Sequence, residues 1–117
     1  MFRLHQVQDV SIIDAEGELS RNNMHHLEEL LGHLTRNRHH NVVLNLSELK
    51  HLDYRLVRRI AERIIEFQCD GGDLKMANVS EYVRQILAAM GLEEEMYPSV
   101  EEALLDFLVE EPSGALQ

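Results

Sequence analysis

The chain has 117 residues, 44% of them hydrophobic, a single cysteine, and a formal net charge of 11 minus 21, or −10. That length suits one domain with a real core and is too short for two, and the charge speaks against sequence-independent binding to nucleic acid or anionic lipid. Cys69 cannot form an internal disulfide, the N-terminus lacks a signal-like apolar centre, and no apolar run approaches the roughly 18 residues of a membrane span, so the expectation is a soluble cytoplasmic domain without direct membrane insertion.

Phe2 to Val7 and Val10 to Ala15 alternate in part and are separated by Gln8-Asp9, which predicts a hairpin of two strands. Glu16-Gly17-Glu18-Leu19 breaks that pattern. Ser20, Asn22 or Asn23 can cap a helix with Met24, Leu27, Leu30, Leu31 and Leu34 as its buried stripe, and the polar stretch Thr35 to Asn41 ends it. Val42 to Leu46 is a continuous apolar run, as expected of a strand buried on both faces. A short loop then leads to Asp53, whose carboxylate can accept free N–H groups of a helix's first turn. That helix carries the stripe Leu56, Val57, Ile60, Ala61, Ile64 and Ile65, and Gly71-Gly72 stops it.

Leu74 to Ala77 reads as a fourth strand. Ser80 opens a third helix with Val83, Ile86, Leu87 and Met90 as its apolar stripe and Gly91 as its stop. Met96-Tyr97 can add a short strand, and Ser99-Val100-Glu101-Glu102 has the capping-box spacing of a last helix running to about Leu108. Residues 1–109 are thus expected to form the domain, and residues 110–117, without periodicity, a flexible C-terminal tail. Strands followed by helices on a partly parallel sheet predict an α/β fold, with a mixed sheet of four to five strands and about four helices.

Asp53-Tyr54-Arg55-Leu56, following the strand Val42–Leu46, resembles the centre of the STAS domain, the fold of bacterial anti-sigma factor antagonists. Gly17-Glu18-Leu19, Gly71-Gly72, Asn78-Val79-Ser80 with Val83-Arg84, Gly91-Leu92 and Ser99-Val100-Glu101-Glu102-Ala103 follow in the family's order, so the likeness spans nearly the whole chain. In that family the Asp is followed by a regulatory Ser, normally within Asp-Ser-Ser/Thr-Gly. Here the Asp remains, and both hydroxyl residues and the Gly are absent. The resemblance implies a non-enzymatic protein-interaction domain in transcription regulation. Its partner would be an anti-sigma factor or a related ATP-binding serine kinase, bound by the helix start near Tyr54 together with the loop after Gly17. Two other classes are an accessory subunit of an ABC-type lipid transporter and a small-ligand or nucleotide sensor.

The candidate partner-binding residues are Asp53, Tyr54, Arg55 and Arg58. Tyr54 occupies the usual Ser position, and its phenol oxygen stands several ångströms farther out than a Ser hydroxyl, so no phosphorylation is expected there. A Tyr is instead well suited to anchor an interface, or to pack on its own loop. Arg55, Arg58, Arg59 and Arg63 fall on the side of the helix opposite its apolar stripe and form an expected basic face. A positive charge at Arg55 cannot mimic a phosphorylated state, and it can attract an acidic surface or a phosphate on a partner. His26, Glu29 and His33 have helical spacing but no accompanying cysteine pair, and His25-His26 and His39-His40 are expected to face water, so no metal and no cofactor is expected. Cys69 has no histidine near it in sequence, and Gly71-Gly72 lacks the further glycine and Lys of a phosphate loop. No catalytic residue is expected.

Overall fold

The computed structural model describes residues 1–92 and 96–115, the side chains only as far as Leu108. Five strands and four helices run in the order β1 (Phe2–Val7), β2 (Val10–Leu19), α1 (Met24–Arg36), β3 (Asn41–Leu52), a 3-10 turn (Tyr54–Leu56), α2 (Val57–Cys69), β4 (Asp73–Ala77), α3 (Glu81–Ala88), β5 (Met96–Tyr97) and α4 (Val100–Ala115). They make one mixed sheet in the order β1-β2-β3-β4-β5. The β1–β2 hairpin is antiparallel and the remaining pairings are parallel.

The two faces of the sheet are covered unequally. Ile13, Val42, Leu44, Leu74 and Met76 point to one side, where α1, α2 and α3 close the main core with Leu27, Leu31, Ile60, Ile64 and Leu87. Val10, Ile12, Val43 and Ala77 point to the other, under Ala103 and Phe107 of α4. Successive strand residues face opposite sides, so the apolar run at Val42–Leu44 supplies both layers. The buried Lys75 belongs to the α4 side. Its ammonium lies 3.0 Å from Asp73, 2.8 Å from Asp106 and 3.2 Å from the Tyr97 hydroxyl, and 4.6 Å from the centre of the Phe107 ring. Burial alone would lower the Lys75 pKa; the hydrogen bonds to Asp106, Asp73 and Tyr97 outweigh it and hold the pKa above the ordinary lysine range.

Several boundaries differ from the sequence pattern. β2 continues through Glu16–Leu19 by means of register shifts between Asp14 and Glu16 and between Gly17 and Glu18, so the break in alternation marks bulges within a strand. β3 likewise runs on to Leu52, through the stretch expected as a short loop, which puts Ser47 on an exposed strand position. The N-cap Asn23 makes no side-chain cap; its carboxamide bonds the Ser20 N–H and the Glu18 carbonyl, bracing the entry into α1. Ile65 and Met90, expected on buried stripes, are 57% and 52% exposed, because each lies at the margin of its helix's apolar arc. α4 extends to Ala115, past the expected end near Leu108, and takes in Pro112 and Gly114, residue types that ordinarily mark a helix end. Residues 116 and 117 of the expected tail lie outside the described residues.

The stop at Gly71-Gly72 has two distinct causes. Gly71 takes φ +89°, the left-handed conformation that turns the chain out of α2. At Gly72 a Cβ would overlap the His40 carbonyl oxygen, a backbone atom that cannot swing aside. Gly72→Ala is therefore expected to destabilise by about 3 kcal/mol or more, against about 1 kcal/mol for Gly71→Ala. Urea midpoints at unchanged slope measure both, and equal costs would remove the close-approach argument.

Candidate functional site

The site is built where β3 leaves the sheet. The Asp53 backbone N–H donates to the Leu19 carbonyl at 2.9 Å, which ties the C-terminal ends of β2 and β3 together. Its carboxylate accepts from the Arg55 backbone N–H at 3.0 Å and so caps the 3-10 turn that leads into α2. The same carboxylate accepts from Arg55 Nε at 3.0 Å and Nη2 at 2.9 Å, a two-pronged ion pair. The Arg55 guanidinium, then its amide, hold the Asp53 carboxyl below the ordinary carboxylate range, and the pair in turn raises Arg55.

With Asp53 and Arg55 locked together, Tyr54 between them turns outward and is 71% exposed. It shares a shallow hollow with His51 and Leu52 of β3 and with Tyr82 of α3. Tyr82 stacks on His51, ring centres 6.1 Å apart and planes 24° apart, with its hydroxyl 3.4 Å from His51 Nδ1. Ser80, whose side chain accepts from the Val83 N–H, starts α3 so that Tyr82 arrives in its first turn. The sequence reading assigned no role to Tyr82 or His51. They are 31 residues apart, and only the parallel sheet brings them together.

Asp53, Tyr54 and Arg55 thus meet at one place, and Arg58 stands exposed in the first turn of α2. The expected basic face narrows, however. Arg59 and Arg63 are half-buried and pair with Glu28 of α1, Arg63 also with Glu66, so these two cations fasten helix to helix. They follow the side of α2 that leans on α1, a contact that helical spacing alone does not reveal. Arg55, committed to Asp53, is a structural clamp as well as a surface cation. Among the described residues no three His, Cys, Asp or Glu side chains gather in a metal-binding arrangement, so the spacing of His26, Glu29 and His33 does not form a cluster. His25 and His26 are exposed, whereas His39 and His40, in the loop before β3, are half-buried, and His40 Nδ1 is shielded without a hydrogen-bond partner among the described residues. No described helix is long and apolar enough to cross a membrane.

The STAS domain model matches residues 1–103, and the chain belongs to the STAS domain family. No curated protein matches it. Among solved structures, it is similar to a Thermotoga maritima protein assigned as an anti-sigma factor antagonist (TM-score 0.83, 21% identity), over 91% of this chain and 93% of that one. It is similar to the Bacillus cell fate determinant SpoIIAA in its phosphorylated form (TM-score 0.74, 20% identity), over 91% and 97% of the respective chains. A serine-to-glutamate variant of RsbS from Moorella thermoacetica aligns with TM-score 0.79 and 19% identity over 95% of this chain and 97% of its own. At these identities the likeness is one of fold.

The lowered Asp53 pKa gives the clamp a pH signature. A depressed carboxylate adds stability that is present above its unfolded pKa and is lost as pH falls through its folded pKa. The Asp53 carboxyl should therefore titrate below the ordinary carboxylate range in a carbon-detected NMR titration, and Arg55→Ala should move it back up. Identical titration in parent and variant would show that the clamp does not hold in solution.

Proposed function

We propose that this chain is a non-enzymatic STAS domain that acts as an anti-sigma factor antagonist, docking a protein partner on the surface around Tyr54. The partner class is an anti-sigma factor or a related ATP-binding serine kinase in a bacterial cytoplasm, and the regulated process is transcription. The observation that carries this reading is Tyr54 itself, a large aromatic 71% exposed on a short, doubly fastened turn. Holding an aromatic in place before binding reduces the entropy lost on docking, and Tyr is among the residues that most often dominate binding energy. Asp53 and Arg55 set the turn, Tyr54 supplies contact area, and Arg58 adds charge beside it.

Truncating such an anchor costs about 2 kcal/mol or more, roughly thirtyfold in affinity. Tyr54→Ala combined with Arg55→Ala should therefore abolish recovery of the main cellular partner, while Tyr54→Ala alone leaves thermal unfolding nearly unchanged. A parallel capture with Arg38→Ala, at the opposite end of the sheet, should match the parent. Parental recovery by the double variant would place docking elsewhere, and recovery of an ABC-type ATPase would move the domain to the transporter-subunit class.

The proposal also removes the phosphorylation switch. Incubated with ATP and a serine kinase of the anti-sigma class, the chain should gain no phosphate at Tyr54, whose hydroxyl extends too far for a site that holds a short side chain in line. Ser47 is exposed, but it is fixed in β3, its N–H bonded to Asn45 Oδ1 at 3.2 Å, and it too should stay unmodified. Stoichiometric phosphate on either residue, read by mass spectrometry, would overturn the loss of the switch.

A further inference from the structure

The two edges of the sheet differ in how they are guarded. β5 is two residues long, too short to template another strand. β1 has six residues, Arg3 to Val7 all exposed, and pairs with β2 alone. Its register with β2 is unbroken, it holds neither Pro nor Lys, and Arg3, its one formal charge, lies 3.4 Å from Glu16. Bulges, prolines and free charges are the usual protection of a strand edge, and β1 has none of them. Its free backbone groups can be assigned. The Glu16 N–H donates to the Met1 carbonyl at 2.9 Å and the Met1 ammonium to the Glu16 carbonyl at 3.0 Å, a pair that exchanges both bonds. In an antiparallel ladder such pairs alternate with pairs that exchange none. Arg3, His5 and Val7 therefore bond to β2, and Phe2, Leu4 and Gln6 turn their N–H and C=O groups outward.

We infer that β1 is a self-pairing edge, joined antiparallel to β1 of a second copy with Leu4 opposite Leu4. Opposed residues in such a pair project to the same face, and outward-bonding residues must meet outward-bonding residues. A two-fold centred on Arg3, Leu4 or His5 satisfies this. The first sets Arg3 against its own copy, like charge on like. The last leaves Phe2 without a partner. Centring on Leu4 uses Phe2, Leu4 and Gln6 together, covers a leucine that is 38% exposed, and sets Arg3 across from His5 with its charge already met by Glu16. β1 offers a foreign strand no charge pattern to recognise, whereas its own copy brings an apolar Leu4 to an apolar Leu4. The two-fold axis, the commonest symmetry of dimers, then stands perpendicular to one continuous sheet of twice five strands. α1, α2 and α3 of both copies lie on the same side of it. Strands of the two copies run in opposite senses, so the Tyr54 turns stand at opposite ends of that sheet and both stay open.

Sedimentation of the intact chain tests this pairing. The parent should form a dimer that dissociates on dilution, because a strand pair this short buries little area. A parent that is monomeric at every concentration overturns the proposal. Leu4→Lys and Leu4→Glu each set like charges face to face and should weaken the dimer at least about tenfold, and mixing the two variants should restore it. Val7→Lys adds the same charge to the same strand away from the two-fold, and should weaken the dimer much less. Equal loss in Val7→Lys, or a mixture of the two Leu4 variants that stays monomeric, overturns the Leu4-centred pairing. Should a Leu4 variant fail to fold, amide hydrogen exchange on the parent decides alone. The Phe2, Leu4 and Gln6 amides should gain protection as concentration rises, while those of His5 and Val7, already bonded to β2, change little. A dimer in which the Leu4 and Gln6 amides exchange as in the monomer is joined elsewhere, and the proposal falls.

Discussion

The Asp53 backbone N–H reaches the Leu19 carbonyl while its carboxylate holds the amide and the guanidinium of Arg55, so one residue joins the ends of two strands to the start of a helix. This geometry leaves no slack between β3 and α2, and a side chain placed inside it has little freedom in where it points. Tyr54 is that side chain. Its exposure would mean little on a mobile loop, but on a clamped turn it is a fixed feature of the surface. The Asp53–Arg55 pair is itself near the surface, where ion pairs add little stability, so its main consequence is positional.

Charge is distributed over the fold with a clear division of labour. Glu28 draws Arg59 and Arg63 against α1, which fastens α2 to α1. On the opposite face of the sheet, Lys75 joins β4 to α4 through Asp73, Asp106 and Tyr97. A buried charge of this kind is tolerated only because each of its hydrogen-bonding directions meets an oxygen, and it specifies how α4 sits more than it stabilises the fold. α4 therefore closes its side of the sheet without reaching the Tyr54 hollow, which is formed by β3, the 3-10 turn and α3.

Much of this was legible in the sequence because it depends on local chemistry. Asp53 and Ser80 announce helix starts by their short acceptors, Gly71 and Gly91 announce stops, and the spacing of Leu27, Leu31 and Leu34 marks a buried stripe. The length of β3 was not legible. Past Leu46 the inward residues are Leu49 and Leu52, three apart, because the pairing with β2 is irregular there and the two-residue period fails. The pairing of His51 with Tyr82 and of Glu28 with Arg59 was equally hidden, since each joins residues 31 positions apart whose meeting depends on how whole elements pack. The order and spacing of the family-like residues carried the fold. The companions of Tyr54 in the hollow required the structure.

Amide hydrogen exchange on the chain with its captured partner tests the central claim most directly, because it reads the footprint without altering any residue. Added protection should centre on the amides of the 3-10 turn and the first turn of α2, and extend to the first turn of α3 around Tyr82. The Gln8-Asp9 turn and the Arg38–His40 loop, at the opposite end of the strands, should exchange as in the free chain. Protection confined to that opposite end or to α4, with the Tyr54 turn unchanged, would contradict the account.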